Sequence, residues 1–270
     1  MGLKMEIITI SNKQDLLNHQ SEINSLFFEC FGGRQLGDLW SWAYIENPNG
    51  EPIVTLCYEG SRLVGHYAIM SMPLCLGNEV LKSYLCMTAM VSESQRKFGL
   101  FSKLGAENFK VASDLGVDFI MGFPNANSAP GFKKRLNWIL PPVDYVANIS
   151  KAQLLQKKTS LLATSKNAFS LNLHDPKTRR WRMSRPGGNY VWDDGLLYKE
   201  FEGAIDVMYF DAAEDLEKLP EKKNINILIK SEDIQFRDFM VFKYQFGGVP
   251  INKHFDPSII NRQMCLSDVF

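Results

Sequence analysis

Apolar and polar positions along the chain switch between two periods, and the switches mark its elements. The opening segment 5–10, MEIITI, is a short apolar run of strand length, and Ser11 with Gln14 three places on has the spacing of a capping box. Leu16, Leu17, Ile23, Leu26, Phe27, Cys30 and Phe31 then recur at helical spacing until Gly32 and Gly33 stop the helix. A loop carrying Trp40, Trp42, Asn47, Pro48 and Gly50 leads to three strand-like runs, 53–60, 63–74 and 81–91, joined by turns that suit an antiparallel meander. Helical spacing returns with Leu100, Phe101, Leu104, Phe109 and Ala112 as far as Gly116. A strand over 117–123, a helix over 128–136 and a strand over 143–149 follow.

Residues 151–178 are polar and poorly periodic and read as a joint between two halves. The second half partly echoes the first, since WRMSRPGGNYV from Trp181 and WSWAYIENPNGEPIV from Trp40 share a Trp-bearing segment, a Pro/Gly turn and a strand. Strands near LLYKEF, AIDVMYF and INILIK, helices over 212–219 and 233–240, and a strand-rich tail complete it. The pattern predicts a duplicated α/β unit, with domains at 1–150 and 179–270 and a connecting segment at 151–178.

With 45% hydrophobic and 22% charged residues, the chain can bury a sizeable core. Thirty basic residues balance thirty acidic ones, which argues against a nucleic-acid partner, because such binding draws on a positive excess. Cys30, Cys57, Cys75, Cys86 and Cys265 are scattered and odd in number, a pattern of reduced thiols in a cytoplasmic protein rather than a metal site. The N-terminal MGLKMEIITIS has neither a signal-peptide core nor, with Glu6, a myristoylation pattern, and no run is long enough to span a membrane. The sequence leaves open whether the protein is a monomer or a homo-oligomer.

The segment 90–104, MVSESQRKFGLFSKL, carries the clearest chemistry. A strand ends near Val91 and passes through a polar turn into a helix beginning near Gly99. Such a turn leaves backbone amides unpaired at a helix N-terminus, where the helix dipole adds positive charge, and so forms a seat for a pyrophosphate. Gly99 lets the backbone approach the ligand, and Arg96 and Lys97 add charge at the rim.

This segment resembles the pyrophosphate loop of the GNAT superfamily of acyl-CoA-dependent N-acyltransferases. That loop reads Gln/Arg-x-x-Gly-x-Gly/Ala; Arg96, Gly99 and Phe101 fall on its three fixed positions, Phe101 departing from the third. The order of elements over 1–150 is similar as well. The resemblance implies a mixed, largely antiparallel sheet flanked by helices (α/β of the α+β type), two GNAT-like units in tandem, acyl-CoA as co-substrate and no metal. It implies cofactor contacts from Met90, Val91, Arg96, Lys97, Phe98, Gly99, Leu100, Phe101 and Ser102, and from Asn125 and Asn127 in GFPNANSAPGFKKRLNW. The pantetheine arm would pair with backbone at 87–91 and 120–123, with the thioester near Thr88, Ala89 and Met90. Many family members have a Tyr acid five residues before the aromatic that closes the second segment; that place is Lys133 here, beside Phe132.

Transfer to an amine also needs the neutral nucleophile. His66 is the candidate base, with Asp144 the alternative, and the backbone amide of Met90 is the candidate for polarising the thioester carbonyl. Trp42, Glu46, Arg182 and Tyr190 are candidates for the acceptor, with Arg180, Arg185 and Trp192 nearby in sequence, although Trp40, Trp42 and Trp181 also suit packing anchors. The overall wording is similar to longer bacterial members that acylate nucleotide-linked amino sugars for surface polysaccharides. The alternatives are a peptide or small-metabolite amine, or a GNAT-like protein that binds acyl-CoA without turnover.

Overall fold

The first helix begins one residue later than the Ser11 spacing suggests. In the structure, a computed structural model describing residues 4–163, 168–221, 223–254 and 256–267, Asn12 is the cap and accepts from the Asp15 amide. The N-terminal residues 1–3 and the middle of the connecting segment, 164–167, lie outside the described residues.

Strand β1 (Met5–Ile10) is followed by helices α1 (Lys13–Leu17) and α2 (Gln20–Cys30). The Trp-rich segment expected as a loop is helical: α3 (Asp38–Trp40) widens into a π-turn over Ser41–Ile45. The meander comprises β2 (Ile53–Glu59), β3 (Arg62–Ser71), the short β4 (Leu74–Leu76) and β5 (Glu79–Leu81), and β6 (Ser83–Val91). Then come α4 (Leu100–Asp114), β7 (Phe119–Gly122), α5 (Ala129–Arg135), β8 (Asp144–Ser150) and α6 (Lys151–Lys157), whose Ser150 and Gln153 form a full capping box. Strand β9 (Ser170–Leu171) and helix α7 (Pro176–Met183) precede β10 (Tyr190–Asp193), β11 (Leu196–Phe201), β12 (Ala204–Phe210) and β13 (Asn224–Ile229). Strands β14 (Met240–Tyr244) and β15 (Gly247–Pro250) follow. The helices expected over 212–219 and 233–240 are tighter 3-10 turns, Ala213–Lys218 and Ile234–Phe239.

Two six-stranded sheets carry the fold, in the orders β1-β2-β3-β6-β7-β15 and β10-β11-β12-β13-β8-β14. Each is antiparallel but for a single parallel pair, β6 with β7 in the first and β12 with β13 in the second. Beyond that pair each sheet takes a strand from the other half of the sequence: β15 lies antiparallel to β7, and β8 lies antiparallel to β13. The repeat of this arrangement supports tandem related units. It also means that β8, which closes the segment 1–150, hydrogen-bonds within the second sheet. A small third sheet, β5-β4-β9, ties the connecting segment to the first half.

On one face of the first sheet, Leu100, Leu104 and Ala112 of α4 bury against Ile53, Val64, Tyr67, Ile69 and Ile120. Each such aliphatic side chain removed from water stabilises the fold by roughly 1.5–3 kcal/mol. On the other face, Ile23 and Leu26 of α2 join a cluster that includes Leu56, Trp42, Trp181, Met208 and Phe246, so the two halves share one core. The echoing segments meet in it. The Trp42 and Trp181 rings stack at 4.8 Å with planes 5° apart. Each indole N–H donates to the other residue's carbonyl at 2.8 Å. The pairing is reciprocal, which is consistent with tandem related units.

Candidate acyl-transfer site

The parallel pairing of β6 with β7 runs from Ser83 opposite Phe119 to Leu85 opposite Met121 and then stops. Beyond that register Cys86, Met87, Thr88 and Ala89 of β6 and Gly122, Phe123 and Pro124 at and after the end of β7 line one cavity of about 630 Å³. The splay thus begins at Gly122; Ile120 and Met121, expected among the free backbone partners, are spent on the sheet. Gly122 is required there, because a Cβ would stand 2.9 Å from the Trp138 ring.

Strand β6 is bulged where it lines the cavity. Pairing with β3 steps from His66 opposite Met90 to Ala68 opposite Met87, leaving an extra residue on β6, and Thr88 takes a left-handed φ of 56°. Two buried side chains hold the bulge. The His66 ring donates from Nδ1 to the Thr88 carbonyl at 2.7 Å, and the Tyr44 hydroxyl lies 2.7 Å from Thr88 Oγ1 and donates to the Met87 carbonyl at 3.2 Å.

A smaller cavity of about 250 Å³, lined by Cys30, Ala89, Met90, Val91, Arg96 and the rings of Phe31 and Phe101, shares Phe31, Ala89 and Phe101 with the larger one. It leads from the wedge toward the polar turn. There Glu93–Phe98 forms a 3-10 turn, Gly99 takes φ 70°, and α4 begins at Leu100. Ser102 and Lys103 donate to the Gly99 carbonyl, while the Leu100 and Phe101 amides have no backbone acceptor among the described residues. Arg96 donates from Nε to the Val91 carbonyl at 3.2 Å, which keeps its guanidinium beside the turn.

The structure therefore brings together Met90, Val91, Arg96, Phe101, Asn125 and Asn127 along connected cavities. Asn125 also opens α5, its Oδ1 accepting from the Asn127 and Ser128 amides. Gly99, Leu100 and Ser102 form the helix start, and Phe98 and Lys97 are exposed on the turn before it.

The other candidates stand elsewhere. His66 is buried behind β6, lines neither cavity, and is pushed down to about 4 by burial, the Thr88 carbonyl opposing that shift. It reaches the cavity only through the bulge that it holds. Because its pKa is lower folded than unfolded, the stability it confers is full above about 6.5 and is lost as pH falls through about 4. The loss is on the order of 3 kcal/mol. Wild-type protein is accordingly expected to lose more unfolding free energy than His66→Gln between pH 7 and pH 4 in denaturant titrations; equal losses would refute a buried neutral His66.

Asp144 belongs to β8 and faces a separate small pocket with Lys230, Asp233 and Arg262. Burial raises its carboxyl to about 7 against the pull of Arg262, whose Nε lies 2.9 Å away at an angle too bent for a hydrogen bond. Trp42 is occupied by Trp181, and Glu46 is exposed at the end of the π-turn. Arg182 is fully buried, donating to the Cys265 and Ser267 carbonyls and to the Tyr190 hydroxyl. Asp144, Trp42, Glu46, Arg182 and Tyr190 are all absent from the lining of the wedge.

Sequence reasoning missed the opposite wall. Phe27 and Phe31 of α2, with Arg34, Leu36 and Leu39 from the chain after Gly33, close the cavity across from the bulge, and Phe132, Arg135 and Trp138 flank it. The signal was the helical spacing of Phe27 and Phe31, which does not distinguish a core face from a cavity wall. Lys133, at the place of the usual acid, is exposed and lines neither cavity, while the ring of its neighbour Phe132 lines the larger one. The charged groups lining the cavity are Arg34 and Arg135, with no carboxylate among the described residues.

No protein-family model matches the sequence, and no curated protein matches it. Solved structures do. The chain is similar to a GCN5-related N-acetyltransferase from Kribbella flavida with TM-score 0.63 at 12% identity, covering 92% of this chain and 72% of that one. It is similar to another from Anabaena variabilis with TM-score 0.61 at 9% identity, covering 92% and 73%. A putative acetyltransferase from Pyrococcus horikoshii gives TM-score 0.53 at 13% identity, covering 92% and 91%. The chain has the GNAT fold, and the likeness extends over both halves.

Proposed function

We propose that this protein is an acyl-CoA N-acyltransferase that moves an acyl group to the amine of a small molecule. The observation that carries the reading is the splayed parallel pair with a bulged strand on one side and a glycine-led helix start at one end. Such a wedge offers an extended thioester arm unpaired backbone along its length and a seat for its pyrophosphate. Amine and thioester would meet in a ternary complex with direct attack. A backbone amide at the bulge, from Thr88 to Met90, would polarise the carbonyl, and positioning would supply much of the rate.

The finer reading, a nucleotide-linked amino sugar as acceptor, rests on different residues from those the sequence suggested. Arg182 and Tyr190 are engaged in the interior, so an anionic acceptor would be met by Arg34 and Arg135. Among the described residues the charged groups lining the cavity are these two arginines, which suit an anionic acceptor better than a basic peptide. No helix among the described residues is long and apolar enough to cross a membrane, and all five cysteines are free thiols, which fits the cytoplasmic location that this reading includes.

A second reading, acyl-CoA binding without turnover, is favoured by one observation: the exposed Lys133, beside Phe132, stands where an acid is expected. A thiolate is a good enough leaving group to depart without one. Thermal melting with CoA and acyl-CoAs, followed by thiol release across a panel of primary amines, separates the two. A ligand at a hundred times its Kd adds about 2.7 kcal/mol of stability, a rise of roughly 5–10 °C for a chain of this size. Stabilisation with turnover supports the acyltransferase, stabilisation without turnover supports the binder, and no stabilisation by any CoA removes both.

A further inference from the structure

The cavity wall at the bulge carries a hydroxyl that is held from behind by a buried tyrosine. We propose that Thr88 Oγ1 is the acceptor that receives an N–H of the attacking amine and aims its lone pair at the thioester carbonyl. The inference rests on the acyltransferase reading and adds to it the group that touches the nucleophile.

The acceptor follows from counting lone pairs. The Tyr44 hydroxyl lies 3.2 Å from the Met87 carbonyl and 2.7 Å from Thr88 Oγ1, and in the shorter contact either oxygen can donate. A hydroxyl oxygen has two acceptor lone pairs, and Tyr44 can occupy at most one of them. In both arrangements the Thr88 oxygen keeps acceptor capacity. Tyr44 is fully buried, whereas Thr88 is half-buried and lines the cavity, so the open side of the pair is an acceptor.

Backbone strain fixes the same oxygen in place. Among the described residues, the non-glycine residues with positive φ are Thr88, Asn137, Asp194 and Glu202; of these only Thr88 is β-branched, and a left-handed conformation costs such a residue on the order of 1–2 kcal/mol. It is held there by the His66 ring on its carbonyl and Tyr44 on its hydroxyl. Neither of the two ionisable candidates for a base competes for the role, because His66 is sealed behind the strand and Asp144 faces another pocket. An amine that arrives neutral needs orientation more than deprotonation. As the N–C bond forms and the C–S bond breaks, the nitrogen's proton passes to the departing thiolate, directly or through water, and Thr88 keeps its own.

The test uses purified full-length protein, acetyl-CoA and the fastest amine from the panel. Thr88→Val keeps shape, β-branching and backbone strain but removes the oxygen. Its kcat/KM for the amine is expected to fall roughly 10- to 100-fold, the range for one hydrogen bond that strengthens in the transition state, while the acetyl-CoA melting shift stays unchanged. Thr88→Ser is expected to stay within about fivefold of wild type, since it restores the oxygen. Tyr44→Phe removes the hydroxyl that holds Thr88 Oγ1 from behind and is expected to lower kcat/KM for the amine several-fold, again with acetyl-CoA binding intact. Wild-type turnover matched by Thr88→Val overturns the inference and leaves the acyltransferase standing. A loss shared equally by Thr88→Val and Thr88→Ser also overturns it, by pointing to the backbone. Wild-type binding of acetyl-CoA with no turnover of any amine removes the acyltransferase reading itself.

Discussion

Gly99→Glu is expected to weaken acyl-CoA binding by on the order of a hundredfold or more while the fold survives. Gly99 takes φ 70°, a conformation that costs other L-residues roughly 1–2 kcal/mol. Nothing lies within 4 Å of a Cβ built there, so the new side chain meets open space and displaces no packing. What it changes is the field at the start of α4, where amides and helix dipole favour an anion and a carboxylate repels one. Gly99→Ala separates the two effects. It carries the backbone strain alone and is expected to lower the melting temperature by a few degrees while keeping most of the affinity. Isothermal titration with CoA reads both variants, and undiminished affinity in Gly99→Glu would remove the helix start as the pyrophosphate seat.

Trp181→Ala is expected to have the largest effect on stability, about 3–5 kcal/mol, the usual range for deleting a buried Trp. It removes a ring stacked flat on Trp42 and the N–H that satisfies the Trp42 carbonyl, in the core shared by both halves. For a chain of this length that amounts to a drop in melting temperature of roughly 10 °C. Below the transition the amine KM should scarcely move, because neither Trp lines the wedge. A large rise in KM with an unchanged melting temperature would instead return Trp42 to the acceptor site.

The residues that sequence alone could place are those whose type matches their local conformation. Gly99 needs its freedom of φ, and it stands between a polar turn and an apolar helical period, so strand, turn and helix could be read in order. The echo around Trp42 and Trp181 was also legible, though not that the two rings meet. The family resemblance put Thr88 near the thioester, but its left-handed conformation gave no signal, because it contradicts the residue's own preference and is held by Tyr44 and His66 from distant segments. His66 looked like a base because its spacing marks a strand residue but not which side of the strand water reaches. Arg182 and Tyr190 suited an acceptor by residue type, but neither the helix period around Arg182 nor the strand pattern around Tyr190 reveals that they bond to each other in the interior. The partners of β7 and β8 escaped too, since they are chosen by pairings across most of the chain.

That exchange of strands bears on how the protein comes into being. As the chain leaves the ribosome, the first sheet is unfinished until β15 emerges, after nearly all of the second half, and β7 meanwhile presents an unpaired edge. Strand β8, made early, has no sheet to join until β13 and β14 arrive. The second sheet has all its strands once β14 has been made, while the first still waits for β15, the reverse of the order in which domains made in series commonly mature. The wedge is assembled last, when Gly247–Pro250 braces the strand that forms its far wall, so truncated or stalled chains should be clients of chaperones and not half-active enzymes.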